Sequence, residues 1–162
     1  MNIILNPYDI NPENVFFLEK KKNNIIDGCF SKIIYSTDFF TMNGVFITLP
    51  LLTKPIDIAH QYDHRYTVQF YSHDVKNLEY IARISEIENA ILTSYKLMNG
   101  IKKTNHLVLT NQLYNGYFKI YRDKIPNIIP IPKTYAVKIS GLWENLEEIG
   151  ITYKFMEVLN VS

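Results

Sequence analysis

Only one stretch of this chain keeps helical spacing over any length, and the runs around it are patterned for strands. Leu78, Ile81, Ile84, Ile87, Ile91 and Tyr95 recur three and four residues apart, which places them on one face of a helix over 75–98. Ser72 or Asp74 stands where an N-cap belongs, and Asn99-Gly100 is a helix stop. The polar side of this helix is mixed in charge, so it reads as a cover for a core rather than a helix lying on a membrane.

The flanking runs read differently. Over 65–71, Tyr66, Val68 and Phe70 share one side of an extended chain while Arg65, Thr67, Gln69 and Tyr71 share the other. The first set predicts core, the second a solvent face able to hold a ligand. Further strands are predicted over 29–36, 45–49, 106–110, 117–121, 135–141 and 151–156, with turns at Asn43-Gly44 and Asn115-Gly116. The last two strands make a hairpin around 145–150. Residues 125–132 carry prolines at Pro126, Pro130 and Pro132 and read as a loop or an edge. Asn6-Pro7-Tyr8-Asp9 reads as a turn, and 20–24 as a wet loop or hairpin tip. With 162 residues, 47% of them apolar, the chain is expected to be one domain, 1–162, with one core. Mainly β, with one long helix inserted between strands, it fits a small β-barrel.

Charge is unevenly spread. Residues 96–138 hold eight basic side chains and one acid, a net +7 in a chain whose total is +1. Tyr114, Tyr117, Tyr121 and Tyr135 are interleaved with them. A positive field studded with flat rings suits a polyanion that also offers flat rings, as single-stranded nucleic acid does. On the strand 117–121, Tyr117, Lys119 and Tyr121 share a face opposite Phe118 and Ile120, a ring–charge–ring order that matches base stacking plus phosphate attraction. Lys138 and Lys154 alternate outward from their apolar neighbours; Arg65, Gln69 and Tyr71 complete the surface if the strands are adjacent. Lys102 and Lys103 add to the field. The bland reading of each is an ordinary outward residue of a half-exposed sheet.

Signatures of enzymes are missing from the sequence. It contains no phosphate-gripping G-x-x-x-x-G-K loop and no dinucleotide fingerprint. The single Cys29 excludes a cysteine-rich zinc site and an internal disulfide. His60 and His64, with Asp57 and Asp63 nearby, have a metal-like spacing but follow a proline in a predicted loop. The expectation is a protein without catalytic activity, metal or cofactor. No signal peptide is apparent, and no run reaches the ~20 apolar residues of a spanning helix.

The segment 137–144, Val-Lys-Ile-Ser-Gly-Leu-Trp-Glu, followed by 150–155, Gly-Ile-Thr-Tyr-Lys-Phe, resembles the closing hairpin of single-stranded DNA-binding proteins of large DNA viruses and T7-like phages. The resemblance covers about twenty residues. It implies an OB-fold, with single-stranded DNA bound in its groove during replication, recombination or repair. The motif lands on Lys138, Trp143, Tyr153 and Lys154, of which only Lys138 and Lys154 face outward by alternation. It also implies a cytoplasmic, host-nuclear or viral-factory location, and replication proteins or further copies of the chain as partners. The phage proteins carry an acidic tail, whereas 156–162 holds one acid, Glu157. The leading reading is a DNA-binding protein with little sequence preference, using Arg65, Lys102, Lys103, Lys119, Lys138 and Lys154 for phosphates and Tyr71, Tyr117 and Tyr121 for bases. RNA binding is not separated from DNA binding. A protein-interaction or assembly module that buries the same tyrosines, or an adaptor subunit of a replication complex, stays open.

Overall fold

The fold comes from a computed structural model that describes residues 3–23, 27–60, 63–124 and 134–158. Two 3-10 turns, Pro7–Asp9 and Pro12–Asn14, lead into β1 (Val15–Phe17), β2 (Lys21–Asn23), β3 (Gly28–Ser36), β4 (Thr41–Met42) and β5 (Val45–Leu49). A 3-10 turn at Ile58–His60 precedes β6 (Arg65–Gln69) and the long helix α1 (Val75–Asn99). Then come β7 (Thr104–Asn105), α2 (Val108–Tyr114), β8 (Tyr117–Tyr121), β9 (Thr134–Glu144) and β10 (Glu148–Val158).

The strands form two sheets. In the larger, the path is β1-β3-β9-β10-β7, with β2 and β4 added on β3 and β5 added on β9. In the smaller, β6 and β8 make an antiparallel ribbon. The result is a mixed α/β fold: a curled, open half-barrel sheet with a helical insertion. A fully closed OB-fold barrel is not formed. Closure needs hydrogen bonding around the whole ring, whereas β8 meets β10 through side chains. Phe118 stacks on Phe155 with centroids 4.6 Å apart and meets Tyr135 edge-on at 5.4 Å.

Helix α1 is built as its spacing requires. Asp74 accepts a hydrogen bond from the Asn77 amide at 3.0 Å, and Gly100 ends the helix at φ 63°. Ile81, Ile84, Ile87, Ile91, Leu92 and Tyr95 are buried, while Leu78, in the first turn, is 37% exposed. Asn77 is buried as well, and its amide ties the helix start to the carbonyls of Leu52 and Tyr71.

The expected strand over 106–110 is the main correction to secondary structure. Only Thr104–Asn105 is extended, pairing parallel with Glu148 and Ile149, and Val108–Tyr114 is helical. The cause lies on α1. Glu88 is fully buried, and its carboxylate accepts from the amides of Leu109 (3.0 Å) and Thr110 (2.9 Å) and from the Thr110 hydroxyl (2.6 Å). It caps α2 from outside, where Leu107 at the N-cap position has no capping side chain.

The closing hairpin is longer than expected, 134–144 against 148–158, with a register shift at Thr152/Tyr153. Trp143 lies opposite Gly150, and a Cβ there would fall 2.3 Å from the indole. Glycine at 150 is thus what lets the ring lie flat on the neighbouring strand. The lysine run is also more ordered than a loop tip: Lys21–Asn23 pair with Gly28–Phe30. Lysines on a sheet edge discourage pairing with another chain. The proline-spaced stretch 125–132 lies outside the described residues.

Candidate nucleic-acid interface

The ribbon alternates strictly. Tyr66, Val68, Phe118 and Ile120 are buried against the main sheet; Arg65, Thr67, Gln69, Tyr117, Lys119 and Tyr121 are exposed. Register pairs Arg65 with Tyr121, Thr67 with Lys119 and Gln69 with Tyr117. Residues directly opposite on an antiparallel pair share a face, so the six outward side chains form one surface. The Arg65 guanidinium sits 5.7 Å from the Tyr121 ring centroid, within cation–π range.

Beside this surface a groove of about 360 Å³ runs between β8 and β10, lined by Gln112, Tyr117, Lys119, Tyr121, Tyr153 and Lys154 among others. Gln112 on α2 donates to the Tyr117 carbonyl at 2.7 Å and holds one end of β8. Burial pushes the Tyr153 hydroxyl above its ordinary pKa, so the phenol is neutral at the groove wall. On the opposite side of β6, a hollow of about 450 Å³ is lined by Asp57, His60 and Asp63 together with Arg65, Thr67 and Gln69. The ribbon is therefore electrostatically lopsided, with lysines toward β10 and carboxylates beyond β6. His60 Nδ1 lies 2.8 Å from the Asp63 carboxylate, which raises the imidazole pKa. His64 instead bonds the Arg122 carbonyl at 3.3 Å, so the two histidines do not converge. Among the described residues no group of three metal-ligating side chains is assembled.

A latch fixes the ribbon to the main sheet. Arg122, just past β8, reaches Glu157 on β10 with Nε at 2.9 Å and Nη2 at 2.8 Å. Its guanidinium carbon lies 4.4 Å from the Tyr66 ring centroid, and the Tyr66 hydroxyl donates to the same carboxylate. Burial, then the Glu157 hydrogen bond, pushes the Tyr66 pKa far above the usual phenol range. The side chains of Arg122 and Glu157 are only 6% and 15% exposed, so this pair gains more from its Coulomb attraction than a surface pair does.

The nine sequence-predicted residues separate into groups. Arg65, Tyr117, Lys119 and Tyr121 share the ribbon face, and Lys154 joins Tyr117, Lys119 and Tyr121 in the groove. Tyr71 is exposed two residues past the end of β6, with the Lys54 ammonium 5.5 Å from its ring. Lys138 is directly opposite Lys154 in register but is half-buried, its ammonium 5.3 Å from the Phe46 ring; it is not among the groove's lining residues. Alternation placed it outward, but β9 is covered on both faces. Lys103 is bound to Glu144 at 3.3 Å, and Lys20 takes the other carboxylate oxygen at 3.2 Å. Burial is the largest single influence and opposes the Lys20 charge, but the Glu144 carboxylate and the Tyr95 phenol together outweigh it and the pKa is raised. This cluster sits at the far end of β9, roughly 30 Å from Tyr135 by strand rise. Lys103 therefore does not join the ribbon face; Lys102 is exposed on the same connection.

Sequence reasoning passed over Glu88, Gln112, Arg122, Glu157 and Lys54. Two of them carried a signal. Glu88 interrupts the apolar stripe of α1 between Ile84, Ile87 and Ile91, and Glu157 shares the parity of the core residue Phe155. A charge at a core position predicts a buried partner. No protein-family model matches this chain, and no curated protein or solved structure does either.

Proposed function

We propose that this protein binds single-stranded DNA with little sequence preference, without catalysis, in replication, recombination or repair of a viral or phage-type genome. The observation that carries the reading is the outward face of the β6–β8 ribbon. It gathers Arg65, Tyr117, Lys119 and Tyr121 on one surface, continuous with a groove that also holds Lys154. Tyrosine rings offer stacking worth roughly 1–3 kcal/mol per base to any base. The lysines attract phosphates regardless of sequence. The curled sheet and the hairpin motif over 137–155 support the same reading.

Fluorescence anisotropy of labelled dT30, its duplex and an RNA equivalent, across a salt series, tests it. The expected result is binding to dT30 that exceeds duplex binding and weakens steeply with salt. Tyr117→Ala is expected to weaken dT30 binding about ten-fold. Equal binding to the RNA oligomer would shift the ligand to single strands of either kind. No binding to any of the three at low salt would sink the proposal and leave the face as a protein interface.

A further inference from the structure

We infer that the binding path is four nucleotides long and ends at a subsite made by Tyr71 and Lys54; this rests on the single-strand reading above. The ribbon face is a ladder. Its rungs are Arg65 with Tyr121, Thr67 with Lys119 and Gln69 with Tyr117. Outward residues on a strand are spaced by two positions, or ~6.7 Å. That is about twice the ~3.4 Å base rise of one duplex strand, the spacing reached when a side-chain ring is layered between successive bases.

The ladder does not stop at Gln69. Phe70 is buried and still bonded to β8's side of the ribbon, its amide donating to the Gly116 carbonyl at 3.0 Å. Alternation then carries Tyr71 outward, and it is exposed. Residues 52–54 run antiparallel beside this end, with Thr53 opposite Phe70. The Lys54 amide donates to the Gln69 carbonyl at 2.8 Å and the Tyr71 amide to the Leu52 carbonyl at 3.1 Å, and the Lys54 side chain reaches across to Tyr71 to complete the fourth rung. The Lys54 ammonium lies 5.5 Å from the Tyr71 ring. Leu52, Lys54, Tyr71, Ser72, His73 and Asp74 line a hollow of about 420 Å³, large enough for a base laid on Tyr71. Tyr121, Tyr117 and Tyr71 thus stack three bases, Lys119 takes a phosphate at the ringless rung, and Lys54 takes the terminal phosphate. Asp57 and Asp63 line the hollow along the edge of β6 away from β8 and repel phosphates from that side, which keeps the path on the ladder and the groove.

The test is competition of dT2 to dT8 against labelled dT30 on the full chain. Affinity is expected to rise steeply up to dT4 and afterwards only with the number of ways a longer oligomer can sit. Tyr71→Ala and Lys54→Ala are expected to weaken dT4 and dT6 about ten-fold, as one stacked base or one phosphate is lost, and dT3 much less, because it can sit on the first three rungs alone. Both side chains are exposed, so unchanged melting temperatures are expected and check that the fold is kept. If dT30 binds but the two variants hold dT4 and dT6 as tightly as the unaltered protein, the path ends elsewhere and the inference is overturned while the single-strand reading stands. If the steep rise continues beyond dT4, the four-nucleotide path is likewise overturned. If dT30 itself does not bind, both fall together.

Discussion

Strands β9 and β8 are both rich in aromatic and apolar residues, yet they do opposite work. In β9, Tyr135, Ala136, Val137, Ile139 and Leu142 are buried and Lys138 is half-buried, because β5, β3 and β10 flank the strand and both faces are covered. In β8, only Phe118 and Ile120 are buried, and Tyr117, Lys119 and Tyr121 stand in solvent. The same ring–lysine chemistry is structural where a second layer exists and available for a ligand where none does. Lys138 shows the difference within one residue type: its ammonium sits over the Phe46 ring, while Lys119 faces the groove.

This contrast can be broken most severely at the latch. Arg122→Ala leaves the Glu157 carboxylate half-desolvated beside Tyr66 and leaves the ribbon held to β10 by the Phe118–Phe155 stack and the Tyr66 hydroxyl. The expected cost is about 3–5 kcal/mol in urea unfolding, with dT30 binding lost as the face loses its alignment. A loss under ~1 kcal/mol would show that the ribbon is held by Phe118 and Phe155 alone. The latch also makes stability sensitive to alkali. The raised Tyr66 pKa favours the neutral phenol in the folded state, so its contribution is complete below about pH 10 and is lost as pH rises above the unfolded value. Glu88→Ala comes next. It strands the amides of Leu109 and Thr110, and roughly 1–3 kcal/mol is expected to be lost, with faster amide exchange confined to α2. Exchange spread evenly over the molecule would contradict that placement. Lys119→Ala has the smallest effect on stability, within ~0.5 kcal/mol. It should lower the salt slope of dT30 binding by about one; an unchanged slope would remove Lys119 from the phosphate path.

Much of the framework can be read from the residues because its signals are local. The α1 stripe, the Asn43-Gly44 and Asn115-Gly116 turns and the alternation over 65–69 and 117–121 are periodicities of adjacent side chains, and the structure reproduces them. The ribbon face was legible in part for the same reason: parity on each strand named Arg65, Tyr117, Lys119 and Tyr121 before their register was known. Parity gave Lys138 its side, opposite Lys154, but not its burial, because alternation records which way a side chain points and not whether another layer lies above it. The strand expected over 106–110 failed because a β-prone run was overruled by a carboxylate more than twenty positions away, a hydrogen-bond partner that no local window contains.

Residue order alone thus decided where the long helix lies, which side chains on each strand could be core, and that ring and charge alternate on β8. Assembly decided the rest: that β6 pairs with β8 and joins Arg65 to Tyr121, that the half-barrel stays open, that Lys103 is spent on Glu144, and that Arg122 and Glu157 meet. The physical reason is that backbone periodicity is set by nearest neighbours, whereas burial and charge pairing depend on which distant segments pack together to exclude water.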